Sequence, residues 1–229
     1  MNIQGLQKVS LLDYPGKIAC TVFTGGCNFR CPFCHNSLLV LPGNIAATNL
    51  TEDDFFKFLT ARINKLDGVC ISGGEPLIQP DLESFIRRIR SMGFAVKIDT
   101  NGSMPEQLKN LVNSGLIDYV AMDIKNSPEQ YSVTVGQESP DLDKISQSVA
   151  FLLSDIVSYE FRTTIVKEFH TETDIEQIGQ WIKGAKRYYL QEFVDSGSII
   201  GKDLHAVSPD KANDFLRIAS KYVPCVQLR

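Results

Sequence analysis

Short apolar runs alternate with amphipathic segments along this chain. The runs are four to eight residues long and rich in Val, Ile, Phe or Tyr, which is typical of β-strands. Six strands are predicted, at 18–23, 68–73, 95–99, 119–124, 159–166 and 188–194, and the tail "VPCVQLR" is a candidate for one more.

The segments between these runs have the periodicity and end residues of helices. Thr51 is the predicted N-cap of the first helix, with Asp54 three residues later as in a capping box. Gly93 and Gly115 are predicted to end the second and third helices. Helices are predicted within 50–66, 79–93, 104–115, 141–153, 171–186 and 208–222.

Strands that alternate with helices predict parallel βαβ units and an α/β fold. Eight such units close a complete barrel. About six units leave two architectures open, a partial barrel and a doubly wound sheet. The chain has no low-complexity run, internal repeat or linker, so residues 1–229 are predicted to form a single domain.

Composition narrows the class of protein. The chain has 229 residues, of which 43% are hydrophobic and 22% charged, ordinary values for a globular protein. A net charge of −4 argues against a nucleic-acid partner. No signal peptide and no apolar run of membrane-spanning length is found, so we expect a cytoplasmic protein with no membrane partner. Thiols stay reduced there, which favours metal-binding or catalytic roles for the six cysteines.

Three of those cysteines follow the first predicted strand in "GGCNFRCPFCHN", residues 25–36. Structural zinc sites and cubane iron–sulfur clusters usually take four protein ligands, so Cys27, Cys31 and Cys34 leave one place unfilled. A zinc site with Cys20 or His35 as the fourth ligand is one interpretation. Cys20 and Cys70 alternate with apolar neighbours on strands, which indicates buried core thiols. Cys225 lies near the end of the chain, and the sequence leaves open whether it is buried or free.

Other polar motifs follow the next strands, where ligand sites of α/β folds lie. They are "SGGEP" at 72–76, "DTNG" at 99–102, "MDIK" with Asp123 and Lys125, and Arg162 on the fifth strand. Each alone has an ordinary explanation: a tight turn, a structural salt bridge or a surface arginine. Their occurrence together predicts one ligand site. His170 and His205 lie in polar surroundings and are predicted to be solvated surface residues.

The spacing Cys-x3-Cys-x2-Cys, with Phe33 before the last cysteine, and "GGEP" at 73–76 together resemble the two motifs of radical S-adenosylmethionine (SAM) enzymes. The resemblance covers about 5–195 and implies a partial (β/α)6 TIM-like barrel. "DYPGKIACTVFTGGCNFRCPFCHN", "DTNG" and "MDIK" are similar to the glycyl radical enzyme activating enzymes. The most similar subgroup is the anaerobic ribonucleoside-triphosphate reductase activating proteins.

The chain departs from that group at several places. Tyr14 stands where glycine is usual, and "GK" stands where many members have Gly-Ile-Arg. A ferredoxin-like insert is absent, because only Cys70 lies between the two motifs. Val194 occupies about the place of a histidine expected in one branch. These departures leave the target enzyme open.

The resemblance implies one 4Fe-4S cluster held by Cys27, Cys31 and Cys34, with SAM on the fourth iron. It also implies a SAM-binding set. Phe33 and His35 are expected at the adenine, and Gly73 and Gly74 at the methionine amino group, while Glu75 is expected either to fix the loop or to accept from the ligand. Asp99, Asn101 and Asp123 are expected at the ribose hydroxyls or a monovalent cation, and Lys125 and Arg162 at the methionine carboxylate.

The implied reaction is reductive cleavage of SAM to a 5′-deoxyadenosyl radical, which takes a hydrogen atom from a glycine Cα of a partner protein. The expected partner is an anaerobic ribonucleoside-triphosphate reductase, and the expected electron donor is a flavodoxin or ferredoxin. Two alternatives stay open. One is a radical SAM enzyme acting on a small molecule, similar to the deazapurine carboxylate synthases. The other is a zinc-binding interaction module using Cys27, Cys31, Cys34 and His35.

Overall fold

A computed structural model describes residues 1–41, 50–195 and 197–229. The strands are β1 (Ile3–Ser10), β2 (Ala19–Thr24), β3 (Gly68–Gly73), β4 (Ala95–Thr100), β5 (Tyr119–Asp123), β6 (Ser158–Ile165), β7 (Tyr188–Glu192) and β8 (Val226–Leu228). The α-helices are α1 (Ser37–Val40), α2 (Glu52–Thr60), α3 (Leu82–Ser91), α4 (Pro105–Asn113), α5 (Tyr131–Val135), α6 (Leu142–Leu153), α7 (Glu172–Trp181) and α8 (Pro209–Ala219).

The strands belong to one eight-stranded sheet, in which their order is their order along the chain. β1 pairs antiparallel with β2, whereas β2, β3 and β4 pair in parallel, as do β6, β7 and β8. Parallel strands are usually covered on both faces. Val22, Ile71 and Ile98 on β2, β3 and β4 are accordingly fully buried. The predicted α/β class is confirmed.

All six predicted strands are present within one or two residues of the predicted bounds, and the tail forms β8. β1 was not predicted. Its sequence "IQGLQKVS" mixes polar and small residues, and its central positions are partly or fully exposed. This antiparallel strand therefore lacks the apolar run on which the strand prediction depended.

The helix ends follow the predicted capping chemistry. The Asp54 amide donates to the Thr51 hydroxyl at 3.1 Å, and the Thr51 amide donates to the Asp54 carboxylate at 3.2 Å, which completes the capping box before α2. Gly93 and Gly115 follow α3 and α4 with φ values of +90° and +67°, a conformation that favours glycine. None of the described helices is long and apolar enough to cross a membrane.

The chain forms two compact units. The first comprises Met1–Asn28, Leu38–Thr100 and Glu106–Val120, and the second comprises Phe29–Ser37, Asn101–Pro105 and Ala121–Arg229. In the first unit, the rings of Phe55, Phe56 and Phe85 pack at centroid distances of 5.1–5.3 Å. In the second, Tyr131 packs edge-on against Trp181. The single domain expected for 1–229 stays a prediction.

Candidate functional site

The start of the cysteine loop is fixed by backbone hydrogen bonds within the first unit. The Gly26 amide donates to the Leu39 carbonyl at 2.7 Å, and the Glu75 amide donates to the Gly26 carbonyl at 2.9 Å. The turn after β3 thus holds the residue that precedes Cys27. The Gly-Gly-Glu motif therefore helps to hold the backbone of the cysteine motif in place.

Gly73 and Gly74 stand where no larger residue fits. Gly73 has φ +116°, and a Cβ there would lie 2.4 Å from the Thr24 amide nitrogen. A Cβ on Gly74 would lie 1.8 Å from the Gly26 carbonyl oxygen. Glycine is required because the turn after β3 packs directly against the loop backbone.

Glu75 supports this turn from inside. Its side chain is fully buried and accepts hydrogen bonds from the Leu77 amide at 3.1 Å and the Thr100 hydroxyl at 2.9 Å. Of the two roles considered for Glu75, fixing the loop and accepting from a ligand, these contacts support the first. A contact between Glu75 and a ligand stays a prediction.

The second half of the cysteine loop belongs to the second unit. The Cys34 amide donates to the Cys31 carbonyl at 3.0 Å, which closes a turn. The Arg30 amide donates to the Val135 carbonyl at 2.8 Å, and the Gly201 amide donates to the Pro32 carbonyl at 2.6 Å. Backbone contacts on both sides therefore set the path of the chain around Cys31 and Cys34.

Asp123, at the end of β5, forms ion pairs with two basic side chains. Its carboxylate is 2.9 Å from Lys125 Nζ and 2.8 Å from Arg162 Nε. Burial opposes ionisation of Asp123, but the positive charges of Arg162 and Lys125 outweigh it and lower the pKa of Asp123 well below its usual value. Burial likewise opposes the Lys125 charge, and Asp123 outweighs it and raises the pKa of Lys125.

The charge of Lys125 also reaches the cysteine loop. Burial raises the pKa of the Cys34 thiol, and Lys125 is among the groups that oppose this rise. Partial desolvation and the nearby Lys125 charge lower the pKa of His35, because both disfavour a second cation there. The structure thus brings Cys31, Cys34, His35 and Lys125 into one electrostatic neighbourhood.

The prediction that His170 is a solvated surface residue is wrong. His170 is fully buried rather than solvated. The Val166 amide donates to its Nδ1 at 3.0 Å, so Nε2 carries the proton and donates to the Lys125 carbonyl at 3.0 Å. Burial lowers the pKa of His170 and favours the neutral ring. His205 is exposed, as predicted, and pairs with Glu168.

Two remaining predicted residues lie at the end of β4. Asn101 is buried, and its side-chain oxygen accepts from the Ser103 amide at 2.9 Å. Asp99 accepts from the Ser72 hydroxyl at 3.0 Å and forms an ion pair with Lys97. Lys97 was not predicted as a site residue. A lysine inside the apolar strand "AVKID", two residues before an aspartate, is the sequence feature that indicates it.

The aromatic residue of the cysteine motif is also buried. Phe33 packs against Phe169 at a centroid distance of 5.8 Å. Cys20 and Cys70 are buried on β2 and β3, as predicted. Within the described residues, no group of three or more His, Cys, Asp or Glu side chains is arranged to hold a metal ion. The assignment of a cluster to Cys27, Cys31 and Cys34 therefore stays a prediction from their spacing.

The structure thus combines parallel strands that alternate with helices, a three-cysteine loop after β2 and a Gly-Gly-Glu turn after β3. The family model described as "Radical SAM superfamily" matches residues 21–152, more than half of the chain. The chain belongs to this superfamily and is a radical SAM enzyme. The family implies a 4Fe-4S cluster and SAM.

Two proteins with similar sequences show which kinds of radical SAM enzyme this chain resembles. The chain is 34% identical over 238 residues to a Methanocaldococcus jannaschii protein whose name proposes a glycyl-radical enzyme activating enzyme, and the alignment covers 99% of this chain and 95% of that protein. It is 33% identical over 124 residues to 7-carboxy-7-deazaguanine synthase of Thermoplasma acidophilum, covering 54% of each.

A solved structure of Streptococcus suis SuiB bound to S-adenosylmethionine is similar with a TM-score of 0.66 at 14% identity, over 89% of this chain and 48% of that chain. At this identity the likeness concerns the fold. The predicted partial barrel of the radical SAM type is confirmed.

Proposed function

We propose that this protein activates a glycyl radical enzyme. The observation that carries the proposal is the similarity to the M. jannaschii relative, which extends over almost the full length of both chains. From the resemblance of the cysteine loop we further propose an anaerobic ribonucleoside-triphosphate reductase as the partner. A flavodoxin or ferredoxin is the proposed electron donor.

The residue types of the cysteine loop support the cluster assignment, because thiolates are the usual ligands of iron–sulfur clusters. Cys27, Cys31 and Cys34 would hold three irons through thiolates. The backbone carbonyl groups of Gly73 and Gly74 are the proposed acceptors for the methionine amino group, since glycine has no Cβ beside its carbonyl. When bound and supplied with one electron, the cluster and SAM would supply the radical chemistry needed to remove a hydrogen atom from a glycine Cα of a partner.

Lys125 and Arg162 are the proposed partners of the methionine carboxylate. An ammonium and a guanidinium each have several N–H donors, so both can pair with a ligand while they pair with Asp123. Tyr131 Oη accepts from the Lys125 amide at 3.4 Å, and His170 donates to its carbonyl. Held at both backbone groups, Lys125 needs little reorganisation to receive a ligand.

The remaining proposed contacts come from the resemblance. Phe33 and His35 would contact the adenine, and Asp99 and Asn101 would accept from ribose hydroxyls. A monovalent cation near Asp99 and Asp123 was a further expectation. Each of these carboxylates already has a basic partner in its own unit. The residues of the chain would need no acid–base pair, since their task is to orient SAM and exclude water.

A small-molecule reaction is the second candidate. The similarity to 7-carboxy-7-deazaguanine synthase favours it, but that alignment covers only about half of each chain. The same cysteine loop and SAM-binding residues would serve both functions. Turnover of a metabolite without a partner protein would distinguish the second candidate from the first.

The test is electron paramagnetic resonance after anaerobic reconstitution with iron and sulfide. The reduced protein is mixed with SAM and an anaerobic ribonucleotide reductase from the same source. We expect a glycyl-radical doublet that disappears when the glycine of the partner is replaced by alanine, and no doublet from Cys31→Ala. If 5′-deoxyadenosine accumulated without a doublet, the partner would be wrong. If Cys31→Ala still cleaved SAM, the cluster assignment would be wrong.

A further inference from the structure

Four polar side chains share one face of β3 and β4. Cys70 and Ser72 are two residues apart on β3, and Lys97 and Asp99 are two residues apart on β4, so each pair points to one face of its strand. Cys70 is the register partner of Lys97. The four residues therefore form a compact group in the first unit.

Lys97 is the buried member of this group. Its side chain is 2% exposed, whereas that of Asp99 is 17% exposed. Its ammonium forms an ion pair with Asp99 Oδ1 and lies 3.6 Å from Cys70 Sγ. A lysine this deeply buried stays charged only beside an opposite charge, because desolvation otherwise favours the neutral amine.

Asp99 is held through both carboxylate oxygens. Oδ1 receives Lys97, and Oδ2 accepts from the Ser72 hydroxyl at 3.0 Å. These contacts fix the orientation of the carboxylate and leave part of it exposed. A second cation at Asp99 would meet the Lys97 ammonium at short range, where repulsion between like charges is screened little.

We propose that Lys97 is a positioning residue whose buried ammonium supplies, at Asp99, the positive charge that a bound monovalent cation would otherwise supply. Its ion pair keeps the Asp99 carboxylate oriented for the ligand. The proposal rests on the proposed function only in taking that ligand to be SAM. It means that SAM binding by this chain needs no potassium or sodium ion at Asp99.

The test compares Lys97→Met with the wild type, both reconstituted, in potassium chloride and in tetramethylammonium chloride at equal ionic strength. Melting temperature and SAM affinity by calorimetry are measured. We expect no difference between the salts for the wild type. For Lys97→Met we expect about tenfold weaker SAM binding in tetramethylammonium chloride, partly restored by potassium, and a melting temperature that rises with potassium.

Lys144→Met is the matched control, because Lys144 also pairs with an aspartate but its side chain is 55% exposed. We expect it to behave like the wild type. A Lys97→Met protein with no specific response to potassium would overturn the proposal, since a merely structural lysine would give that result.

A direct measurement on the wild type decides the matter even if Lys97→Met does not fold. Thallium(I), a substitute for potassium, is titrated into the protein and followed by thallium NMR. Absence of saturable binding is expected, and saturable binding displaced by potassium would contradict the proposal. If the wild type bound no SAM, the proposed function would fail, while the thallium and melting experiments would still decide the role of Lys97.

Discussion

At the scale of single residues, Gly74 is the described glycine at which an added Cβ would make the shortest contact. A Cβ on residue 74 would lie only 1.8 Å from the Gly26 carbonyl oxygen, which is far inside van der Waals contact. That oxygen belongs to the backbone immediately before Cys27 and also accepts the Glu75 amide. A side chain at position 74 would therefore displace the cysteine loop rather than a flexible neighbour.

Gly74→Ala is predicted to destabilise the protein and lower its iron content after reconstitution. Overpacking of this kind costs about 1–3 kcal/mol. For a chain of this size that corresponds to a fall of roughly 2–12 °C in melting temperature. Gly5→Ala is the control, because a Cβ there would meet Phe23 at an ordinary 3.4 Å. Equal melting temperatures and iron contents for the two variants would contradict the prediction.

Residue spacing made part of the site predictable. The cysteines and the Gly-Gly-Glu turn could be found because their chemistry depends on short spacing in the sequence. The burial of His170 could not, since its partners are backbone groups of Val166 and Lys125, which leave no mark on residue type. The spacing of Lys97 and Asp99 is visible in "AVKID", but the contact of Lys97 with Cys70 depends on the pairing of β3 with β4, which sequence alone does not supply.

At the scale of elements, the strands with continuous apolar runs were predictable, whereas β1 and the short helices α1 and α5 were not. The six predicted strands are those whose hydrophobic residues are buried in the sheet, whereas β1 is half exposed. The short helices α1 and α5 have only four and five residues, too few to show a helical period. Their position depends on packing rather than on propensity.

The segment after β6 is joined to the segment after β5 through His170, and this link should depend on pH. The ring is neutral when folded because burial lowers its pKa, whereas an unfolded histidine titrates near 6.5. The unfolded state therefore binds more protons below about pH 6.5, and stability is lost as the pH falls through that value. The loss from this group is at most about 1.4 kcal/mol per pH unit.

His170→Gln is predicted to cost about 1–3 kcal/mol of stability at pH 7.5, because the Val166 amide or the Lys125 carbonyl loses its partner. The difference from the wild type should shrink between pH 7.5 and 5.5, since the variant lacks the titrating ring. Urea unfolding between pH 7.5 and 5.5 measures the free energy of unfolding of both proteins. His205→Gln, at an exposed position, should follow the wild type. A difference that stayed constant with pH would show that the buried ring does not titrate as proposed.

At the scale of the whole molecule, the distribution of the six cysteines predicts one cluster per chain. Three lie in one loop at ligand spacing, while Cys20 and Cys70 are buried on strands and Cys225 is partly exposed before β8. No ferredoxin-like insert provides further cysteines between the two motifs. Reconstituted protein should therefore contain about four irons and four sulfides per chain.

Cys34→Ala should lose this iron and the brown colour, and Cys225→Ser should retain both, since only Cys34 belongs to the loop. Iron, sulfide and zinc analysis of the wild type and the two variants checks the prediction. About eight irons per chain, or loss of iron in Cys225→Ser, would mean that a second set of ligands assembles outside the loop. One zinc per chain in a colourless protein would instead favour the interaction module, because thiolates alone at this spacing could also bind zinc.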